Sequence, residues 1–109
     1  MKDVIDFPKH ADDALSSLYQ VLVQASEDYD FEVDLSDGAL TVEFERPPAK
    51  FVVSSNSPVR QIWISARSKS YKLGWDVVQN TFVLASTDQT LTEVMEEALS
   101  EQIGEDVLL

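Results

Sequence analysis

Residues 31–45 read FEVDLSDGALTVEFE, and the fold follows from how this stretch is paired. Asp37-Gly38 sits between two runs that alternate apolar and polar residues, the strongest short-range signal for a β-hairpin. With those two residues as the loop, Ser36 faces Ala39 and the register follows. Leu35 pairs with Leu40, Val33 with Val42 and Phe31 with Phe44 on one face. The period of two sends Asp34–Thr41, Glu32–Glu43 and Asp30–Glu45 to the other. One face is apolar and the other acidic, so the hairpin belongs to a sheet covered on one side only.

Upstream, from Pro8 to about Asp28, Ala11, Ala14, Leu15, Leu18, Tyr19, Leu22 and Ala25 recur every three or four residues and predict an amphipathic helix. Asp6 or Phe7 before Pro8 is a helix-start signal. Downstream, KFVVS and RQIWIS read as strands joined by the turn SNSP, and shorter strand-like runs follow around SYKLGW and NTFVLAS. A closing helix begins at Thr90, which has the capping-box spacing to Glu93. Leu91, Val94, Met95, Ala98 and Leu99 form its apolar stripe, Gly104 its C-terminal cap, and the tail EDVLL can return apolar residues to the core. The order helix, five or six strands, helix predicts an α+β two-layer sandwich over residues 1–109 as a single domain. Both terminal helices cover one face of a mostly antiparallel sheet. The other face is open to solvent, and function is sought there.

Composition narrows the classes. The chain has 109 residues, 44% hydrophobic and 26% charged, as expected of one globular domain with its own core. It has no cysteine, which excludes disulfides, sulfur-ligated clusters and thiol catalysis. No apolar run reaches the ~20 residues needed to span a bilayer, and MKDVIDFPKH lacks the marks of a signal or transit peptide, so a cytoplasmic protein is expected. With three glycines there is no phosphate-cradling loop, and His10, the only histidine, has no nucleophile-bearing turn nearby. Paired carboxylates alone would need a deep cleft for glycoside hydrolysis. No enzyme is expected.

Charge is sorted along the chain. Residues 1–45 hold twelve acids against Lys2 and Lys9, residues 46–75 hold six bases and no acid, and residues 76–109 hold eight acids and no base. The net charge of −12 repels phosphate backbones, so nucleic acid is a poor partner. The opposed acids Glu32–Glu43 and Asp30–Glu45 destabilise a sheet unless a cation or a basic partner offsets them, or the side chains splay into water. Glu27, Asp28 and Asp34 enlarge that cluster. His10 lies within reach of Asp6 and Asp13 on the helix and is a candidate ligand with them, or incidental. Asp12 and Asp13 in the first turn are equally explained by the helix dipole. In RQIWIS, Ile62 and Ile64 face the core, so Gln61, Trp63 and Ser65 face outward. An outward Trp beside Asn56 and Gln61 marks a candidate protein interface, unless Arg60 or Lys72 covers it.

Gly38-Ala39-Leu40-Thr41-Val42, followed by Asn56, Pro58 and Gln61-Ile62-Trp63-Ile64-Ser65, resembles the frataxin family, in particular its short bacterial members, from Ala11 to the end of the chain. The resemblance implies a small protein that binds iron (Fe2+/Fe3+) weakly and acts in iron–sulfur cluster assembly. It would dock on a cysteine desulfurase and the iron–sulfur scaffold protein, and regulate the desulfurase by iron supply or deliver iron. The family's acidic ridge maps to Glu27, Asp28, Asp30, Glu32 and Asp34, with His10, Asp12 and Asp13 nearer the helix start. The hairpin acids Glu43 and Glu45 complete the candidate metal ligands, and the partner contact maps to Asn56, Gln61 and Trp63. A monomer is expected, able to oligomerise with iron, and weak ferroxidase activity has precedent among eukaryotic members. The chain departs from the family in three places. The first helix carries Ser16, Ser17, Gln20, Val23 and Gln24 where members have acids, Phe82 stands in place of a Trp, and Ser54 in place of an Asn. The competing expectation is a metal-independent acidic adaptor for a basic protein.

Overall fold

The computed structural model describes residues 7–36, 38–45, 48–66 and 69–109. Helix α1 (Phe7–Ala25) is followed by strands β1 (Phe31–Ser36), β2 (Ala39–Glu45) and β3 (Pro48–Asn56). A 3-10 turn (Ser57–Val59) leads to β4 (Gln61–Ala66), β5 (Lys69–Asp76), β6 (Thr81–Leu84) and β7 (Gln89–Thr90), and helix α2 (Leu91–Ile103) closes the fold. Among the described residues the sheet has seven strands in sequential order β1 to β7, every neighbour antiparallel. This is more than the five or six expected, because β7 is only two residues long and carries no alternation. Its register to β6, Val83 with Thr90, supplies what its sequence pattern does not.

The hairpin register agrees with the expected one for all six pairs from Phe31–Phe44 to Ser36–Ala39. Gly38 takes the left-handed conformation (φ 75°) that such a tight turn requires, while Asp37 lies outside the described residues. Asp30 precedes β1, so the expected Asp30–Glu45 ladder pair is not formed. The inward residues Leu40, Val42, Phe44, Phe51, Val53, Ile62, Ile64 and Leu73 are buried. They form one core with Leu15, Leu18 and Leu22 of α1 and Val94, Met95 and Leu99 of α2. Burying side chains of this size stabilises by about 1.5–3 kcal/mol each and holds both helices to the sheet.

α1 ends at Ala25 rather than near Asp28. The Ser26 hydroxyl donates to the Val23 carbonyl at 2.6 Å. The Asp28 and Tyr29 amides both donate to the Ala25 carbonyl, closing the helix as a turn. Asp12 and Asp13 stand beyond the first turn, which contains no acid among its described residues, so the dipole does not explain them. Asp6 of the start signal lies outside the described residues. α2 has the full capping box between Thr90 and Glu93, and Gly104 caps its other end at φ 87°. Val107 returns to the core as expected, its amide donating to the Ser100 hydroxyl at 2.9 Å, whereas Leu108 remains exposed.

Between β5 and β6 the Asp76 carboxylate ties down a turn. It accepts from the amides of Val78 (2.8 Å) and Gln79 (3.2 Å) and from the Gln79 side chain (3.2 Å). These bonds, the Gln79 amide's first, hold its pKa below the ordinary aspartate value. A depressed carboxyl contributes stability that is present above the unfolded-state pKa and is lost as pH falls through the folded value. Asp76→Asn, which keeps an acceptor but not the charge, is therefore expected to be less stable than the parent near neutral pH. The gap should close as the solution is acidified below the ordinary aspartate range. Urea titrations across a pH series check this; a gap of constant size would show that the charge is not what holds the turn.

Candidate functional site

The acidic surface is built by the edge of the sheet and the end of α1. β1 is an edge strand whose inward Phe31 is buried, while Glu32 and Asp34 point outward and are exposed. Glu27, Asp28 and Asp30 on the connection and Glu43 and Glu45 on β2 are exposed too. Glu32 lies directly opposite Glu43, as read from the sequence. The sequence reading missed the other side of Glu43, where β3 places Lys50 opposite it. The ladder therefore runs Glu32, Glu43, Lys50, and the lysine offsets part of the like-charge repulsion. Asp34 faces Thr41 and Glu45 faces Pro48, so neither adds a second like-charge pair. Carboxylate oxygens are the right donors for a hard cation. Among the described residues, however, no three His, Asp or Glu side chains converge on one point that could hold a metal ion.

His10 has a different environment from the ridge acids. Its ring stacks on Trp75 at 4.0 Å between centroids and 22° between planes, and Trp75 in turn meets the edge of Phe82 at 5.1 Å. Asp13 pairs with Lys9 at 3.1 Å, one turn away on an exposed helix face. His10 and Asp13 border a hollow of about 290 Å³ between α1, the β5–β6 turn and the start of α2. Their proposed third companion, Asp6, lies outside the described residues. Packing against Trp75 accounts for the position of His10.

The second surface is the middle of the open face. Trp63 is 37% exposed and points outward from β4, with Ile62 and Ile64 buried on the other side. Its indole N–H donates to the Gln61 side-chain oxygen at 2.8 Å, fixing both side chains. Asn56 pairs with Gln61 across β3–β4, so the three residues picked from the sequence do form one patch. Ser54 and Lys72 flank Trp63 on the neighbouring strands, and the Lys72 ammonium sits 5.0 Å from the indole centroid. Lys72 thus partly caps the ring, as the alternative reading allowed, yet leaves more than a third of it in solvent. A cation–π contact of this exposed kind is worth about 0.5–1 kcal/mol.

Comparison with known proteins decides the family. The family model described as a frataxin-like domain matches residues 2–105. The chain belongs to the frataxin-like family. It is 32% identical over 95 residues to the iron-sulfur cluster assembly protein CyaY of Azotobacter vinelandii, covering 85% of this chain and 86% of that one. It is 31% identical over 97 residues to CyaY of Pseudomonas aeruginosa, covering 87% and 89%. Its fold is similar to that of frataxin from Psychromonas ingrahamii, with a TM-score of 0.76 at 19% identity over 95% of this chain and 97% of that one. It is also similar to trimeric frataxin from the yeast Saccharomyces cerevisiae complexed with ferrous iron, with a TM-score of 0.73 at 24% identity over 96% and 92%. In this frataxin-like chain the acids Glu32, Asp34, Glu43 and Glu45 share the outer face of one hairpin, and Glu27, Asp28 and Asp30 lead into it. Asp12, Asp13 and His10 are carried separately on α1. No helix among the described residues is long and apolar enough to cross a membrane.

Proposed function

We propose that this chain is a cytoplasmic iron-binding protein of iron–sulfur cluster assembly, which docks on a cysteine desulfurase and its scaffold protein and ties their activity to iron supply. The observation that carries this reading is the frataxin-like match over residues 2–105, with relatives that are iron-sulfur cluster assembly proteins. The geometry supports it with an exposed acidic hairpin at one end of the open face and an exposed tryptophan in the middle. The acids steer a basic partner surface, and Asn56, Gln61 and Trp63 form the contact. Iron is held weakly, because its carboxylate ligands are solvated and must gather around the ion. We assign the chain no catalytic step of its own, and it works as a monomer that iron can bring together.

An iron titration followed by amide NMR tests the metal half of this reading. Fe2+ or Fe3+ is expected to perturb residues 27–34 and 43–45 at up to millimolar concentration and to leave the amides around Trp63 unmoved. Unshifted hairpin amides at that concentration would remove iron from the proposal. A second reading then stands, a metal-independent acidic adaptor. It is favoured by the Glu43–Lys50 pairing, which relieves part of the repulsion without any metal. Capture of the desulfurase and scaffold by the wild-type chain with and without iron separates the two: equal capture in both conditions selects the adaptor.

A further inference from the structure

The patch centred on Trp63 has two properties that its fold does not require. The first concerns Gly74, in the interior of β5. Glycine weakens a strand and is usually kept there for a bulge, a positive φ or close approach of another backbone. Gly74 does not have a positive φ, and a Cβ built on it would meet nothing within 4 Å. The register places it on the outer face, opposite Gln61 and one pleat along from Lys72. The second concerns Lys72. In a chain with 20 acids and 8 bases, no ion pair joins this exposed lysine to a carboxylate among the described residues. Its cross-strand neighbour on β4 is Trp63, over whose ring it rests.

We propose that this face receives an extended, carboxylate-bearing segment of a protein partner, with Lys72 as the counter-charge and Gly74 as the clearance that lets the segment's main chain lie against the sheet. Charge complementarity selects the occupant. The acids of the hairpin are confined to β1 and β2. Asp76, the one acid on β3, β4 and β5, lies two pleats from Lys72 with its carboxylate already held by Val78 and Gln79, so Lys72 is left to an incoming carboxylate. Gln61, locked to the indole N–H, makes a stiff wall beside the clearance. A second copy of this chain is disfavoured by its own net charge of −12. The inference rests on the docking reading above and adds the chemistry that the partner must present.

Gly74→Thr, Lys72→Glu and Lys72→Arg of the full chain test it. Gly74→Thr puts a β-branched side chain into open space on a strand and is expected to melt at or above the parent temperature. Against the desulfurase–scaffold complex, Gly74→Thr and Lys72→Glu should each bind about tenfold or more weakly, and Lys72→Arg within a few-fold of the parent. An independent arm uses a short glutamate-containing peptide. It should shift the Trp63 indole and the Lys72 and Gly74 amides of the parent but not of Gly74→Thr. Peptide shifts that are absent, or that survive Gly74→Thr unchanged, overturn the inference whatever the complex does. Failure of the parent chain to bind the complex overturns only the docking reading. Self-association altered by Lys72→Glu in sedimentation, with peptide and complex binding unaffected, would make the occupant a second copy and also overturn the proposal.

Discussion

Trp63→Ala is expected to weaken binding to the desulfurase–scaffold complex by about 30-fold while lowering the stability of the free chain by no more than about 1 kcal/mol. The asymmetry follows from where the ring sits. In the free chain it is 37% exposed, and its specific contacts are one hydrogen bond to Gln61 and the Lys72 cation. Losing these costs little, because the Gln61 amide and the Lys72 ammonium both return to water. At an interface the same ring would be fully desolvated near the centre of the patch, where truncated aromatics cost 2 kcal/mol or more, and that is about 30-fold in affinity. Reversing the hairpin with Glu32→Lys and Glu43→Lys should act differently, slowing association and flattening its dependence on salt while dissociation changes little. Affinity and melting temperature measured on the same variants check both. A Trp63→Ala chain that binds like the parent would move the interface off the open face.

The parts of this molecule that were legible in its sequence are those set by neighbours close along the chain. The Asp37-Gly38 loop leaves only one register in which Leu35, Val33 and Phe31 meet apolar partners, so six cross-strand pairs could be written down in advance. The capping box at Thr90 and the cap at Gly104 are also local, and both formed. What was hidden depends on distant registers. Lys50 opposite Glu43 needs the β2–β3 pairing, and Lys72 over Trp63 needs the β4–β5 pairing. Neither residue carries a signal of its own. β7 was missed because two residues cannot show a period, and the aromatic packing of His10 was hidden because Trp75, which it stacks on, lies 65 residues away along the chain. The sorted charges become more informative once placed. Glu32, Asp34, Glu43 and Glu45 of the acidic first block and Lys72 of the basic middle block fall on one continuous open face, acid at the β1–β2 edge and cation at its centre. A partner that covers the whole face must itself be bipolar, basic where it meets the hairpin and acidic where it meets Lys72.

The largest effect on stability is expected from Phe82→Ala. Phe82 is fully buried on β6 and meets Phe7 edge-on at 5.8 Å and Trp75 at 5.1 Å, so one ring joins the start of α1 to two strands. Removing a buried phenyl ring costs about 3–5 kcal/mol. A domain of this size has about 5–15 kcal/mol in total. At about 4 °C for each kcal/mol, the melting temperature should fall by roughly 12–20 °C. Loss of the Phe82 edge also frees the Trp75–His10 stack, so near-ultraviolet circular dichroism should weaken even where the variant is still folded. Phe82→Trp, which keeps an aromatic ring at this position, should behave otherwise. Enlarging a packed core residue commonly costs 1–3 kcal/mol, because the neighbours have no room to move. Phe82 has no exposed surface, so the hollow that it borders between α1, the β5–β6 turn and α2 offers the larger ring no ready space. A loss of about 1–3 kcal/mol, smaller than that of Phe82→Ala, is expected for that variant, and urea titrations of the three chains check the order. A loss as large as that of Phe82→Ala would mean that Phe7 and Trp75 cannot shift to admit the larger ring.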